Sequence, residues 1–484
     1  MKKYIRLAAA ALAAVMLLSG CGAASSSAVK LDPQDPVNIT IWHYYNGAQQ
    51  LAFDKLVEEF NDTEGRERGI YVEAHSQGNV SDLETKVLDA FNKTPGSEVP
   101  PDIFSSYADT AYAIEQMGQL VDLGRYMTEE EISEYVPSFI EEGRIGANGE
   151  LKIFPTAKAT EIMLLNKTEW DAFCAETGVT ADGLSTKEKL VETARTYYEW
   201  TDAKTPDVPG DGKSFYGTDA VANLFIIGAM QQGVELFSVD KGQVTLHPDK
   251  DAIRRIWDFY YVPFVNGWFG AYGRFRSDDV KIGELVAFTG STSSGTYFPD
   301  VVETAEGQTP IECLVAANPM FENSQPYAVQ QGAGMVVTKS TPQREYAAVE
   351  FLKWFTREEN NIQFSCTSGY LPVKSASMSV EKMDQVLQEQ GEEMPAVNQE
   401  IMSICFDMTK DTTLYTNKAF NKGTEARKVV EYNLSDKAAA DRAEVVARVQ
   451  AGQSQEEAVA EFVTDEAFDA WYQGFCSALE NSVA

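Results

Sequence analysis

The sequence predicts an α/β fold. Strand-like alternation and helix-like spacing of apolar residues take turns along the chain, and Gly-, Pro- and Asn-containing breaks separate them. VNITIW opens the series, with Val37, Ile39 and Ile41 on one face. After HYYNGAQQ interrupts it, Phe53, Leu56, Val57 and Phe60 recur at helical spacing, and GIYVEA returns to alternation through Ile70, Val72 and Ala74. Leu83, Val87 and Phe91 mark the next helix, PPDIFSSY a strand and DTAYAIEQMG another helix. Ligands of open α/β sheets sit at the carboxyl ends of strands, so the loops HYYNG, with Tyr44, and SSYAD, with Tyr107 and Asp109, are the first places to look for a site. Trp42, Tyr44 and Tyr45 form a stacking platform there, half of which is expected to pack inward.

Further along, strand-like ELKIF, the small polar turn PTAKAT and the apolar IMLLN follow one another. GDGKS has the look of a phosphate loop, but Asp207 stands where GxxxxGK[ST] needs its first glycine, and the stretch reads as a surface turn. Thr341 and Pro342 are an N-cap and an N1 proline, opening a helix in which Tyr346, Val349, Leu352 and Phe355 repeat every third residue. TSGYLPV comes next. Gly369 frees the backbone and Pro372 stops a helix from resuming, so Tyr370 and Leu371 stand on a fixed corner.

The chain has 484 residues, enough for two or more packed units. It begins MKKYIRLAAAALAAVMLLSGCG, with Lys2, Lys3 and Arg6 ahead of an apolar tract from Leu7 to Leu18, the pattern of an export signal over residues 1–20. Leu18-Ser19-Gly20-Cys21 resembles the bacterial lipobox, which makes Cys21 the expected acylation site, and residues 21–36, rich in Ser, Ala and Pro, read as a tether. No later apolar run is long enough to cross a bilayer, so the body is expected outside the cytoplasm, held at the membrane by lipid. A net charge of −33 argues against nucleic acid as a partner. The six cysteines are scattered without a CxxC pair, and His43, His75 and His247 lie far apart, so no disulfide framework, metal site or cofactor is expected.

Taken in order, the lipobox, IWHYYNGAQQ…LVEEFN, PPDIFSSYADTAYAIEQMGQLVDL, LKIFPTAKATEIMLLNKTEWDAF, GAGMVVTKSTPQREYAAVEFLKWFT and SGYLPV resemble the extracellular solute-binding proteins of ABC importers, nearest to the maltose-type and glycerol-3-phosphate-binding branch. The resemblance implies a type II periplasmic-binding-protein fold, with two hinged α/β lobes and the ligand in the cleft between them. Crossings near residues 157, 310 and 358 would make 37–157 and 311–357 one lobe and 158–310 and 358–484 the other. It further implies a monomeric binding receptor, not an enzyme, that takes a carbohydrate or polyol, phosphorylated or not, and passes it to permease subunits.

By motif matching, Tyr370 faces the cleft, Gly332 lets the ligand approach the backbone, and Arg427 is the ligand-facing arginine. An aromatic face stacks on a polyol skeleton, and a guanidinium grips its oxygens in two places. Tyr370 is expected to serve affinity more than stability. GSTSSGT adds the hydroxyls of Ser291, Ser293 and Ser294, and Lys158 stands in PTAKAT where relatives carry a small polar residue. Val80 and Ala108 depart from relatives with phosphorylated ligands, which carry an aromatic and a glutamate there. The rival class is a lipid-anchored hydrolase using a carboxylate pair, although no pair stands out among the many acidic residues.

Overall fold

The computed structural model describes residues 29–208, 210–305 and 307–484. The export signal over 1–20 and the acylation site Cys21 lie outside the described residues, as does the tether up to residue 28. Two sheets organise the chain. The first has five strands in the order Ile70–Ser76, Val37–His43, Ile103–Ser106, Gly334–Val337 and Ile153–Phe154. Val37–His43 pairs in parallel with both of its neighbours, whereas Gly334–Val337 runs antiparallel to both of its own. The second has four, Cys313–Ala317, Glu161–Asn166, Ala287–Ser291 and Tyr216–Thr218.

The predicted opening elements form as their spacing requires. Ile39 and Ile41 turn into the first core, and helix Gly47–Phe60 covers them with Phe53, Leu56, Val57 and Phe60. Asn79 caps helix Val80–Asn92 by accepting from the amide of Asp82. Glu161–Asn166 is buried along its whole length, as a continuous apolar run in a central strand must be.

Three segments join the lobes and are hydrogen-bonded to one another. The Ala159 amide donates to Gln331 O at 2.8 Å and the Gln331 amide returns the bond at 3.0 Å, while the Leu371 amide donates to Lys158 O at 2.6 Å. The crossings differ from those expected in two places. Cys313–Ala317, expected in the first lobe, pairs with Glu161–Asn166 in the second sheet. Helix Glu358–Ser368, expected in the second lobe, packs on both lobes: Phe364 enters the first core, with ring centroids 5.3 Å from Tyr45 and 5.2 Å from Phe355, while Ile362 and Cys366 join the cluster of Ile162, Leu164 and Phe288. In each case packing partners remote in sequence decide where the segment sits. Among the described residues no helix is long and apolar enough to cross a membrane.

Candidate functional site

The corner at residues 368–372 brings the two lobes together. Gly369 is left-handed at φ +72°, and a Cβ there would stand 2.9 Å from Ser293 Cα and 3.0 Å from Thr292 O, so only glycine lets the corner meet the Thr292–Tyr297 turn of the second lobe. Tyr370, 6% exposed, lies nearly parallel to Phe364 and presents its hydroxyl 3.3 Å from that of Tyr44. Ser293, from the second lobe, and Gln49, whose Nε2 donates to Ser368 O at 3.3 Å, lie beside it. Burial raises the hydroxyls of Tyr44, Tyr45, Tyr107 and Tyr370 above the ordinary phenol range, so all four stay protonated. The expectation that Tyr370 contributes little to stability is corrected here, because its ring is part of the first core.

Beside this cluster, Tyr107 ends the strand Ile103–Ser106 and precedes helix Ala108–Gln116, whose first turn holds Asp109. Glu84, from the neighbouring helix, accepts from Thr110 Oγ1 at 3.0 Å. Arg427 approaches from the second lobe, on helix Gly423–Gln450, and its charge reaches Tyr107, Asp109 and Glu84. Burial pushes Asp109 up to about 6 against the opposing pull of Arg427, and burial raises Glu84 as well. Arg427 Nη2 donates to Asn223 Oδ1 at 2.6 Å, and Asn223 Nδ2 donates to Glu161 Oε1 at 2.7 Å and to Gln331 Oε1 at 3.0 Å. Asn318 supports the other oxygen of Glu161 at 3.3 Å. Burial pushes Glu161 up to about 7, and burial lowers the nearby Lys187 to about 8 while its ammonium donates to Pro319 O. The orientation of Arg427 is therefore fixed by a buried chain of hydrogen bonds that ends at a carboxylate and touches the crossing segment at Gln331.

The structure thus gathers Tyr44, Tyr107, Asp109 and Tyr370 from one lobe with Ser293 and Arg427 from the other. The remaining expected site residues have different settings. Lys158 is 2% exposed, with Nζ at 2.7 Å from both Glu142 Oε2 and Gly332 O. Gly332 is left-handed at φ +92°, and the space above its Cα is filled by backbone: a Cβ there would stand 2.8 Å from Ala157 O and 2.9 Å from Lys158 Cα. It lets the crossing strands approach each other, in place of the ligand approach expected of it. Ser291 caps the Thr292–Tyr297 turn, accepting from the Ser293 amide and from Ser293 Oγ. Ser294 and Asp219 both crowd the face of Gly290.

Sequence reasoning missed Asn223, Glu161, Glu84 and Gln49. The first two carried a signal: Asn223 opens the apolar NLFIIGAM and Glu161 opens EIMLLN, each a polar residue in an otherwise apolar run. Both lobes also enclose a cavity of about 560 Å³ between Tyr112, Arg144, Gln330, Lys241 and Tyr415.

The model of the bacterial extracellular solute-binding protein family matches residues 55–389. No curated protein matches the sequence. Solved structures similar to this one include a cyclic alpha-maltosyl-1,6-maltose binding protein from Arthrobacter globiformis, at 18% identity and TM-score 0.62, over 92% of this chain and 100% of that one. UgpB from Mycobacterium tuberculosis, in complex with glycerophosphocholine, is similar at 18% identity and TM-score 0.63, over 93% of this chain and 100% of its own. An ABC transporter solute-binding protein from Agrobacterium radiobacter K84, in complex with ribitol, is similar at 16% identity and TM-score 0.62, over 91% and 100%. Likeness at such identities shows the two-lobed fold alone, whereas the family match spans more than half of the sequence, and the chain belongs to the bacterial extracellular solute-binding proteins.

Proposed function

We propose that this protein is a monomeric receptor that captures a carbohydrate or polyol between its lobes and delivers it to the permease subunits of an ABC importer, held at the outer face of a membrane by lipid on Cys21. The observation that carries the reading is the meeting of Tyr44, Tyr107 and Tyr370 with Ser293 and Arg427 from the opposite lobe. Phenol hydroxyls kept protonated by burial donate to sugar oxygens, the aromatic faces cover C–H surfaces, and Arg427 enters already oriented by Asn223. The structurally similar proteins that bind maltosyl sugars and ribitol support this ligand class. Binding energy drawn from both lobes favours the closed arrangement.

The test is a thermal-shift screen of the mature domain against sugars, oligosaccharides and polyols. A ligand at 100 times its Kd adds about 2.7 kcal/mol of stability. Small-angle scattering should then show a smaller radius of gyration with the bound compound, and prolonged incubation should return it intact. Turnover of the compound would favour a hydrolase, and an unchanged scattering profile at saturation would count against a hinged receptor.

A further inference from the structure

The cavity of about 560 Å³ between the lobes adjoins the site at Tyr107 and Arg427, because Ala108, which lines it, sits between Tyr107 and Asp109. Its size falls within the range of about 300–1,000 Å³ usual for pockets that take a small molecule. Ala108, Tyr112 and Gln116 recur at every fourth position of helix Ala108–Gln116 and so share the face that forms one wall. The opposite wall is the turn at Lys241 and Gly242 with the segment from Tyr415 to Ala419. A Cβ at Gly242 would collide with the Tyr112 hydroxyl, so the two walls meet there. Tyr112 and Tyr415 give the cavity ring surface from both sides.

Two features of the lining point to a ligand. Gln330 is 3% exposed and donates from Nε2 to Ser138 O at 3.1 Å and to Glu142 Oε2 at 2.5 Å, but its buried Oε1 accepts nothing. A buried amide oxygen of this kind needs a donor, which a sugar hydroxyl supplies. Arg144, Lys241 and Lys418 line the same cavity from three separate segments, all of them exposed, and none is in an ion pair among the described residues. Arg144 uses only Nη1, which donates to Gly149 O at 3.1 Å. The carboxylates of the lining are Glu141, Glu142 and Asp240, and Glu142 is already committed to Lys158 and Gln330. The net charge of −33 repels an anion at long range, so only unpaired local cations such as these can hold one.

We propose that this cavity is a second subsite for an acidic sugar unit. The ligand is then an oligosaccharide with one end against Tyr370, Tyr107 and Arg427 and a unit bearing a carboxylate, sulfate or phosphate among Arg144, Lys241 and Lys418. The proposal rests on the receptor reading above. Gln330 Oε1 accepts from a hydroxyl of the bound unit, Tyr112 and Tyr415 cover its C–H surfaces, and the Arg144 guanidinium grips the oxygens of the anion.

Isothermal calorimetry on the mature chain tests it with trigalacturonate, a chondroitin sulfate disaccharide and maltose 6′-phosphate, with the neutral maltotriose and cellotriose, with the monomer galacturonate, and with every compound that the thermal-shift screen identifies. The expected result is that the tightest binder is acidic and longer than one sugar, and the carboxylate, sulfate and phosphate arms tell which anion the subsite takes. Combining Arg144→Gln, Lys241→Gln and Lys418→Gln should raise its Kd at least tenfold and leave the melting temperature of the ligand-free chain unchanged, since all three side chains are exposed. A neutral tightest binder, or a triple variant that holds the acidic compound like the parent, overturns the proposal and leaves the receptor reading standing. Failure of both the panel and the screen to yield any ligand overturns both.

Discussion

The hydroxyls of Tyr44 and Tyr370 lie 3.3 Å apart, joining the loop after the first strand to a corner 326 positions further along the chain. Tyr370 has two separable parts, a ring stacked on Phe364 in the first core and a hydroxyl that meets Tyr44 and Ser293. Tyr370→Phe keeps the ring and should raise Kd about tenfold, roughly 1.4 kcal/mol, while the ligand-free melting temperature changes little. Tyr370→Ala should instead cost about 3–5 kcal/mol of stability. Calorimetry and urea melts on the two variants decide between the roles, and a Phe variant that binds like the parent would remove the hydroxyl from the site.

Gly332 should be intolerant of any side chain, whether or not ligand is present. Its φ of +92° is strained for alanine, and the neighbour at 2.8 Å is a backbone carbonyl that cannot rotate aside. Gly332→Ala is expected to lose at least about 1 kcal/mol in a urea melt of the ligand-free protein. Full stability with weakened binding would return this glycine to the role of a ligand contact.

The pH dependence of folding has a predictable sign. Burial raises Glu161 from its ordinary value of 4.5 to about 7, so between those values the folded chain holds a proton that the unfolded chain has released, and this group makes stability fall as pH rises. Asp109 and Asp219, each raised to about 6 by burial, act in the same direction above their ordinary value of 3.8. His43, lowered by burial from 6.5 to about 4, acts oppositely within its own window. Glu161→Gln removes the first contribution alone. Its melting temperature relative to the parent should therefore rise from pH 5 to pH 8, and a constant difference would contradict the assignment.

Asn223→Ala should damage binding and stability together. It frees Arg427 from its orienting contact and leaves Glu161 without its shortest hydrogen bond. A stability loss of about 1–3 kcal/mol is expected, with a weakened affinity for whichever compound the screen identifies. Restored binding in Asn223→Gln, which keeps the amide, would support the orienting role, whereas binding unchanged in Asn223→Ala would show that Arg427 needs no such support.

The proposed membrane attachment rests on the sequence of the leader. Cys21→Ser is expected to release the protein into the soluble fraction of a cell lysate, since no helix among the described residues is long and apolar enough to span a bilayer. Retention of the variant in salt-washed membranes would refute lipid anchoring at this residue.

Elements with a local cause were legible in the amino-acid order alone. Ile39 and Ile41 alternate, Phe53 to Phe60 follow a helical period, and Gly369 with Pro372 shapes the corner, so strand, helix and turn could be read from neighbours. The succession of these pieces also carried the family. Long-range packing was needed to show that Phe364 enters the first core, that Cys313–Ala317 joins the second sheet, and that Gly332 makes room for backbone. Folding also brought Arg427 to Asn223 across 204 positions and tied the ammonium of Lys158 to Glu142. Backbone preference depends on adjacent residues, whereas burial, charge pairing and hydrogen-bond direction depend on whichever remote segment folding places beside a side chain.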